Sequence, residues 1–343
     1  MSGTLRVGIY GAGRFANHKH IPNLLSTEGV RIVALADVNP EALASTAASL
    51  PGDVHTYADA HEMLARETLD ALYSCVPAFA RTDVEIAAAR AGLHLFSEKP
   101  QALTMALAHA IDDAIREAGV FSAVGVRERY RPMFGAARAF LADRQVIHIQ
   151  FRRVRPLPEY REWATPWYRD MARSGGSALD WGVHALDIVR YITRQEVAAV
   201  QAFYYQPPDS TLALSSSINA RLTDGATLAM SFVDAPPEGG PGLGVAMTLY
   251  LAGGVLEVDF YGGLIVNGER LYASAPGEDP WLDQDRAFCR AARTGDGSLL
   301  LGDYHDALYS LAPILAAWES SRRGGAPIDV ADYAGLSVEG RQV

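Results

Sequence analysis

A glycine-rich turn near the start of the chain carries residue types that could bind a phosphate group. Gly11 and Gly13 occur in the run Gly-Ala-Gly-Arg-Phe-Ala, directly after a short apolar segment. Gly11 would allow a sharp turn from strand to helix, Gly13 would let the backbone approach a pyrophosphate, and Ala16 would permit close helix packing. Amides at the helix N-terminus would then bind the phosphate oxygens. The pattern predicts a dinucleotide-binding turn.

An acidic residue follows the second apolar segment and could contact the ribose of such a dinucleotide. Asp37 comes after segment 31–36 and lies 24 residues after Gly13, close to the spacing of about 20 seen in dinucleotide folds. Its carboxylate would accept a hydrogen bond from a ribose hydroxyl and repel a 2′-phosphate. We therefore expect NAD as the cofactor, with NADP as the alternative.

Lys99 is a candidate functional residue because it follows a predicted strand, in the sequence Glu98-Lys99-Pro100. Ligands of open α/β sheets bind at the carboxyl ends of the strands. There the ammonium could donate to a reacting hydroxyl and stabilise the developing alkoxide. The alternative is an ordinary surface lysine with its charge in water.

Asp180 and His184 are spaced to share one face of a helix. The imidazole could take a proton near neutral pH, and the carboxylate could orient it and stabilise its charged form. Gly175 and Gly176 precede the pair and would allow a ligand to approach closely. The alternative is a pair of helix-surface residues without a catalytic role.

The segment 155–174 is rich in side chains that suit a polyhydroxylated or acidic small molecule. Its aromatic and arginine residues include Tyr160, Arg161, Trp163, Trp167, Tyr168 and Arg169. A long irregular connection of this kind usually lines a site. The alternative is a segment that serves packing or subunit contact.

The composition indicates a globular protein with room for two domains. Its 343 residues are 49% hydrophobic and 20% charged. A formal charge of −10 without a basic run argues against nucleic acid and anionic membranes as partners. The sequence shows no membrane span and no secretory leader, so we expect a cytoplasmic protein. Cys75 and Cys289 lack the spacing of a disulfide framework or a zinc site.

The elements that must position these residues fall into two predicted domains. Residues 1–125 predict a doubly wound parallel sheet of the Rossmann type, and residues 126–343 predict an α+β domain with an open, mostly antiparallel sheet. The predicted strands of the first domain are 6–10, 31–36, 71–76, 94–97 and 121–126, with helices such as 40–50 and 81–91 between them. In the second domain, 145–153 begins the sheet, and dipeptides such as Asn267-Gly268 predict tight turns.

The last part of the sequence predicts two helices, and the open sheet predicts a homo-oligomer. The helices cover 281–294 and 303–323, and Pro313 predicts a kink or break in the second. An open sheet covered by helices on one side would leave an apolar face that another subunit could cover. We therefore expect a homodimer or homotetramer formed through the open sheet.

Taken in order, these motifs closely resemble the Gfo/Idh/MocA family of nicotinamide-dependent oxidoreductases. The resemblance covers nearly the whole chain and is most specific in Glu98-Lys99-Pro100 and in the run from Gly175 to Asp187, which reads GGxxxDxGxHxxD. It implies catalysis by three residues. His184 would remove the hydroxyl proton of the substrate, Asp180 would orient His184, and Lys99 would polarise the hydroxyl oxygen.

The motifs and the resemblance together imply a set of site residues. The residues expected to bind the cofactor are Gly11, Gly13, Arg14, Phe15, Asp37, Val76, Pro77, Glu98 and Lys99. Those expected to bind the substrate are Lys99, Arg153, Trp167, Arg169, Asp180 and His184. The chain departs from the family pattern at 76–81, where the family usually reads TPNxxH and this sequence reads VPAFAR. The contacts around the nicotinamide ribose are therefore left open.

The resemblance implies an NAD(P)-dependent dehydrogenase that acts on a CH–OH group of a sugar, cyclitol or related polyol. Two other functions stay open at this point. One is an NAD-dependent glycosidase that oxidises its substrate transiently, and the other is a nucleotide-binding sensor without catalysis.

Overall fold

The computed structural model describes residues 3–156, 166–235 and 242–337. Tyr160, Arg161 and Trp163 of the predicted site-lining segment lie outside the described residues. Over the described ranges, no helix is long and apolar enough to cross a membrane.

The first part of the chain alternates strands with helices. Its elements are β1 (Leu5–Tyr10), α1 (Arg14–His18), α2 (His20–Leu25), β2 (Val30–Ala36), α3 (Pro40–Ser49), β3 (His55–Tyr57), α4 (Ala60–Arg66), β4 (Ala71–Ser74), α5 (Val84–Arg90), β5 (His94–Ser97), α6 (Met105–Ala118) and β6 (Ser122–Val124). The strands form one parallel sheet in the order β3-β2-β1-β4-β5-β6. The predicted Rossmann-type sheet is confirmed.

The remaining elements form a second sheet and its helices. They are α7 (Pro132–Phe140), β7 (Val146–Arg155), α8 (Met171–Ser174), α9 (Gly176–Thr193), β8 (Val197–Tyr205), β9 (Ser215–Leu222), β10 (Thr227–Asp234), β11 (Gly244–Leu251), β12 (Gly254–Asp259), β13 (Gly263–Val266), β14 (Glu269–Ala273), α10 (Pro280–Thr294), α11 (Tyr304–Arg322), β15 (Ile328–Asp329) and α12 (Val330–Ala334). The sheet order is β14-β13-β12-β11-β7-β10-β9-β8-β15, and only β7 and β10 pair in parallel among its described strands. The predicted open, mostly antiparallel sheet is confirmed.

Two compact units divide the chain differently from the predicted boundary between residues 125 and 126. One unit combines Met1–Tyr130 with Asp279–Ala307, and the other combines Arg131–Glu278 with Leu308–Val343. Helix α10 therefore belongs to the first unit although it follows strands β7 to β14 of the second sheet in the chain. A contiguous division overlooks such a returning segment because helical periodicity does not reveal which sheet a helix covers.

The packing of α10 explains why it returns. Phe288 on α10 meets Tyr73 and Phe96 of the first sheet, with ring centroids 5.4 and 5.6 Å away. The rings of Tyr73 and Phe96 stack at a centroid distance of 4.6 Å. All three side chains are fully buried, so α10 completes the core of the first unit.

The second sheet is covered by helices on the face that carries its large apolar residues. Phe151 and Phe232 are buried there, and Gly182 of α9 lies where a Cβ atom would come within 3.7 Å of Phe232. The opposite face is largely polar at exposed positions, which include Gln150, Arg152, Ser217, Asn219 and Arg221. The expectation of an apolar outer face is therefore wrong for most of the sheet, because the strands alternate apolar and polar residues.

Of the kink or break predicted at Pro313, the break is absent, because helix α11 continues through the proline. The residues around the proline, 309–317, are buried. Burial of this apolar segment outweighs the one backbone hydrogen bond that proline removes.

Candidate active site

The glycine turn has the geometry that a dinucleotide requires. Gly11 has a φ of +99°, and a Cβ atom there would lie 2.8 Å from the backbone nitrogen of Val76. Gly13 is exposed, and a Cβ atom there would have no atom within 4 Å. Ala16 is buried under the turn. The backbone is therefore tightly packed at Gly11 and open to a ligand at Gly13, which fits the predicted pyrophosphate site.

Asp37 is fixed beside this turn by two backbone amides. Ala12 donates its N–H to Oδ2 and Asn39 donates its N–H to Oδ1, each at 2.8 Å. Each carboxylate oxygen retains a lone pair for a further donor, so the half-buried side chain can still accept from a ribose hydroxyl. Arg14 and Phe15 are exposed next to the turn.

Glu98 and Lys99 follow β5 at the carboxyl edge of the first sheet. Lys99 is half-buried, and its backbone N–H donates to Oε2 of Glu98 at 3.1 Å. Glu98 itself is buried, and a Cβ atom on Gly125 would collide with its carboxyl group. The strand end therefore holds Lys99 at the predicted edge.

A buried histidine that the motif analysis missed supports Glu98. The Nε2 atom of His20 lies 3.0 Å from Oε1 of Glu98, and its Nδ1 atom lies 2.9 Å from Oδ1 of Asp285 on α10. Asn23 also donates to Asp285, at 2.7 Å. Burial lowers the pKa of His20, but Asp285 and Glu98 outweigh this effect and raise it to about 10. The side chain is thus an imidazolium that links α2, α10 and the loop of Lys99.

At residues 76–81, where the sequence departs from the family pattern, Arg81 forms a buried set of hydrogen bonds. Arg81, which stands where the family pattern has histidine, is buried and forms an ion pair with Glu85. It donates to Oγ of Ser97 at 2.5 Å, to Oγ of Ser74 at 3.2 Å, and to the carbonyl of Glu98. The guanidinium therefore ties together the ends of β4 and β5. Val76 and Pro77 precede it in the loop after β4, at the edge of the sheet where the cofactor was expected.

The second unit places Asp180 and His184 on α9, as predicted. His184 is buried, and its ring lies 5.3 Å from the ring of Trp181. The side chain of Asp180 keeps 20% of its exposure. A buried imidazole and a partly exposed carboxylate four residues apart can serve proton transfer at the solvent-facing end of the pair.

A network that the sequence did not reveal holds the carboxylate of Asp180. Tyr168 donates its hydroxyl to Oδ2 at 2.8 Å, and Arg155 donates to the same oxygen at 3.3 Å. Arg155 also binds Tyr168, and its Nε donates to Oδ1 of Asp234 at 2.5 Å. Ser177 completes the network with a 3.2 Å bond to Asp234. Burial lowers the pKa of Arg155, but Tyr168 and the two carboxylates outweigh it, so the pKa lies above its usual value.

The other predicted substrate residues differ in their surroundings. Arg153 on β7 places its guanidinium carbon 4.3 Å from the ring centroid of Trp181. Trp167 packs against Tyr168 at a centroid distance of 5.6 Å. Arg169 is exposed. Trp167 therefore contacts the Asp180 network through Tyr168, and Arg153 lies against Trp181, the residue after Asp180. Among the described residues, no contact links the side chain of Arg169 to this network.

Known proteins resemble this chain in both sequence and fold. Myo-inositol 2-dehydrogenase of Thermotoga maritima is 28% identical over 198 residues, and inositol 2-dehydrogenase of Rhizobium meliloti is 29% identical over 199 residues. Each match covers 58% of this chain and 58% of the relative. The solved scyllo-inositol dehydrogenase of Lactobacillus casei has the same fold, with a TM-score of 0.79, 20% identity and coverage of 96% of this chain and 99% of that chain.

Family models account for both sheets. Residues 5–126 match the oxidoreductase family with an NAD-binding Rossmann fold, and residues 141–256 match the GFO/IDH/MocA C-terminal domain. The first match confirms the predicted Rossmann fold and NAD as its cofactor. Because the two models together span more than half of the sequence, the chain belongs to the Gfo/Idh/MocA family of oxidoreductases.

Proposed function

We propose that this protein is an NAD-dependent dehydrogenase that oxidises a hydroxyl group of a cyclitol, sugar or related polyol, or reduces the corresponding carbonyl. The observation that carries the proposal is that α9 holds a buried His184 four residues after Asp180, whose carboxylate accepts hydrogen bonds from Tyr168 and Arg155. The activities named for the inositol dehydrogenase relatives support the same chemistry.

The residues of the first unit fit NAD. Gly11 and Gly13 would hold the pyrophosphate, Asp37 would accept from the adenosine ribose, and the loops at Val76 and Glu98 would contact the nicotinamide half. When bound, NAD supplies the acceptor for the hydride that leaves the substrate carbon. The fixed carboxylate of Asp37 favours NAD over NADP because it would repel a 2′-phosphate.

Side chains of this protein would accept the hydroxyl proton of the substrate and stabilise the charge that develops on its oxygen. His184 would take the hydroxyl proton at an imidazole nitrogen. Lys99 would donate from Nζ to the hydroxyl oxygen and stabilise the negative charge that develops there. Tyr168 and Arg155 would keep Asp180 in place, and Asp180 would orient His184 and stabilise its charged form.

Two other functions are less well supported. The relatives described above are named dehydrogenases, which does not favour a glycosidase. A sensor without catalysis would not need a buried histidine beside a carboxylate that two donors hold in place.

The test begins with titration of the purified protein by NADH and NADPH, followed by nicotinamide fluorescence. Oxidation of myo-inositol and related polyols by NAD is then measured as absorbance of NADH. We expect tighter binding of NADH, and a loss of at least about 100-fold in kcat for Lys99→Ala and for His184→Ala. His148→Ala, which alters a histidine that bonds Thr227 within the second sheet, is the control. Full activity in both active-site variants would refute the mechanism.

A further inference from the structure

Arg153 is a cation without an anionic partner among the residues that the structure describes. Strand β7 places it on the same side as Arg155, two residues away. Its guanidinium stacks on Trp181, and its Nη1 atom is buried without a hydrogen-bond acceptor. Arg155, by contrast, binds two carboxylates. The two arginines of one strand therefore have different electrostatic surroundings.

The nearby carboxylates are already engaged. Asp180 accepts from Tyr168 and Arg155, and Asp234 accepts from Arg155 and Ser177. Burial and the like charge of Arg155 lower the pKa of Arg153 to about 10, although Asp180 acts in the opposite direction. The guanidinium is therefore still charged at neutral pH. A largely buried cation with an unused donor is unfavourable unless an acceptor reaches it.

The position of Arg153 indicates where that acceptor comes from. Its stacking partner, Trp181, follows Asp180 directly, and the ring of Trp181 contacts the ring of His184. A ligand bound to the guanidinium would therefore share Trp181 as a neighbour with His184, one of the proposed proton-transfer residues. A planar guanidinium binds carboxylate and phosphate oxygens through two parallel, charge-assisted hydrogen bonds, whereas neutral hydroxyls accept without supplying a charge that offsets the buried cation.

We infer that Arg153 binds an anionic oxygen group of the substrate, so that the substrate is a polyhydroxylated acid or a sugar phosphate instead of a neutral cyclitol. The inference rests on the proposed dehydrogenase function and narrows its substrate class. The fork of the guanidinium would fix the anionic end, while the hydroxyl to be oxidised faces His184.

The test compares binding of acids with binding of their neutral counterparts. The probes are D-gluconate against D-sorbitol, D-glucuronate against D-glucose, and D-glucose 6-phosphate against D-glucose. Each is titrated calorimetrically into the full chain saturated with NADH. We expect at least one anion to bind about tenfold to hundredfold more tightly than its neutral partner. The pair that shows the difference distinguishes a carboxylate from a phosphate.

Variants assign the difference to one side chain. Arg153→Met keeps an apolar chain over Trp181 but removes the charge, and it should reduce the affinity for the anion to that of the neutral partner. Arg153→Lys keeps the charge without the fork and should give an intermediate affinity. Arg152→Met removes an exposed arginine from the opposite face of the same strand and should change nothing. Unchanged NADH binding and melting temperature confirm that the variants are folded.

The outcomes separate this inference from the proposed function. If no anion binds better than its neutral partner, or if the preference survives in Arg153→Met and Arg153→Lys, the inference is wrong, whatever is oxidised. If the Arg153-dependent preference is found but no probe yields NADH in the reaction with NAD, the anion site stands and the dehydrogenase proposal fails.

Discussion

The charge of His20 connects one residue to the stability of the first unit. Its two ring nitrogens contact Glu98 and Asp285, and its ring packs against Phe96 at a centroid distance of 4.9 Å. Only the doubly protonated ring can donate to both carboxylates. Loss of that proton would leave two carboxylates facing each other across an uncharged ring inside the core.

This arrangement predicts a pH-dependent stability. The pKa of His20 is raised from 6.5 to about 10, so its contribution is complete below pH 6.5 and is lost as the pH rises towards 10. We expect the difference in free energy of unfolding between wild type and His20→Gln to shrink over this interval, by up to about 1.4 kcal/mol per pH unit. Urea denaturation at several pH values measures it, with His148→Gln as the control. A difference that is constant with pH would contradict the prediction.

Asp37 gives a second prediction at the scale of a residue. Asp37→Ala removes the acceptor for the ribose hydroxyl and the repulsion of a 2′-phosphate. We expect NAD to bind about tenfold or more weakly, and NADP to improve relative to NAD. Titration of both reduced cofactors measures the ratio, and Asp53→Ala, at an exposed aspartate outside the turn, should leave it unchanged. An unaltered ratio in Asp37→Ala would remove the basis for the cofactor assignment.

At the scale of elements, Gly182 shows how closely two helices of the second unit approach. A Cβ atom at Gly182 on α9 would lie 2.4 Å from Cδ1 of Ile314 on α11. In contrast, a Cβ atom at Gly135 on α7 would have no atom within 4 Å. Gly182 therefore allows close contact between two helices, whereas at Gly135 there is space for a side chain.

Alanine substitutions test this contrast. We expect Gly182→Ala to lower the free energy of unfolding by about 1–3 kcal/mol, because Ile314 must move. Gly135→Ala should raise it by about 0.5–1 kcal/mol through helix propensity alone. Thermal and chemical denaturation of both variants provide the comparison. Stabilisation by Gly182→Ala would mean that the helices tolerate a methyl group at their contact.

Local patterns predicted elements better than they predicted contacts. The turn at Asn267-Gly268 was predicted from its dipeptide, and both residues have positive φ between β13 and β14. Residues that act over long separations, such as Asp285 with His20 or Asp234 with Arg155, had no sequence signal. Their partners are fixed by which elements pack together, and neither periodicity nor spacing along the chain contains that information.

At the scale of the whole molecule, the return of α10 predicts how fragments behave. A fragment of residues 1–130 lacks Asp285 and Phe288, and so exposes apolar surface and leaves His20 without one carboxylate. We expect it to melt without cooperativity and to bind NADH poorly. The same fragment joined by a flexible linker to residues 279–307 should melt cooperatively and recover binding. Equal behaviour of the two fragments would show that α10 is dispensable.

Assembly is a separate prediction for the whole molecule. We propose a homodimer or homotetramer formed through the outer face of the second sheet. Phe203 and Tyr205 are 57% and 63% exposed on β8 and would be the apolar part of that contact within a largely polar surface. Sedimentation equilibrium should give a multiple of the monomer mass, and Phe203→Ser with Tyr205→Ser should shift it towards the monomer. A monomeric wild type would exclude this assembly.

The long separation of α10 from its unit also has a consequence during synthesis on the ribosome. The nucleotide-binding sheet emerges complete through β6, but the helix that covers its aromatic core is translated only after strands β7 to β14 of the second sheet. At ordinary elongation rates this interval lasts roughly 10–30 s. During that time the nascent chain exposes Tyr73 and Phe96, a surface that a chaperone could bind. The time at which the first unit can complete its fold therefore depends on the number of residues inserted between β6 and α10.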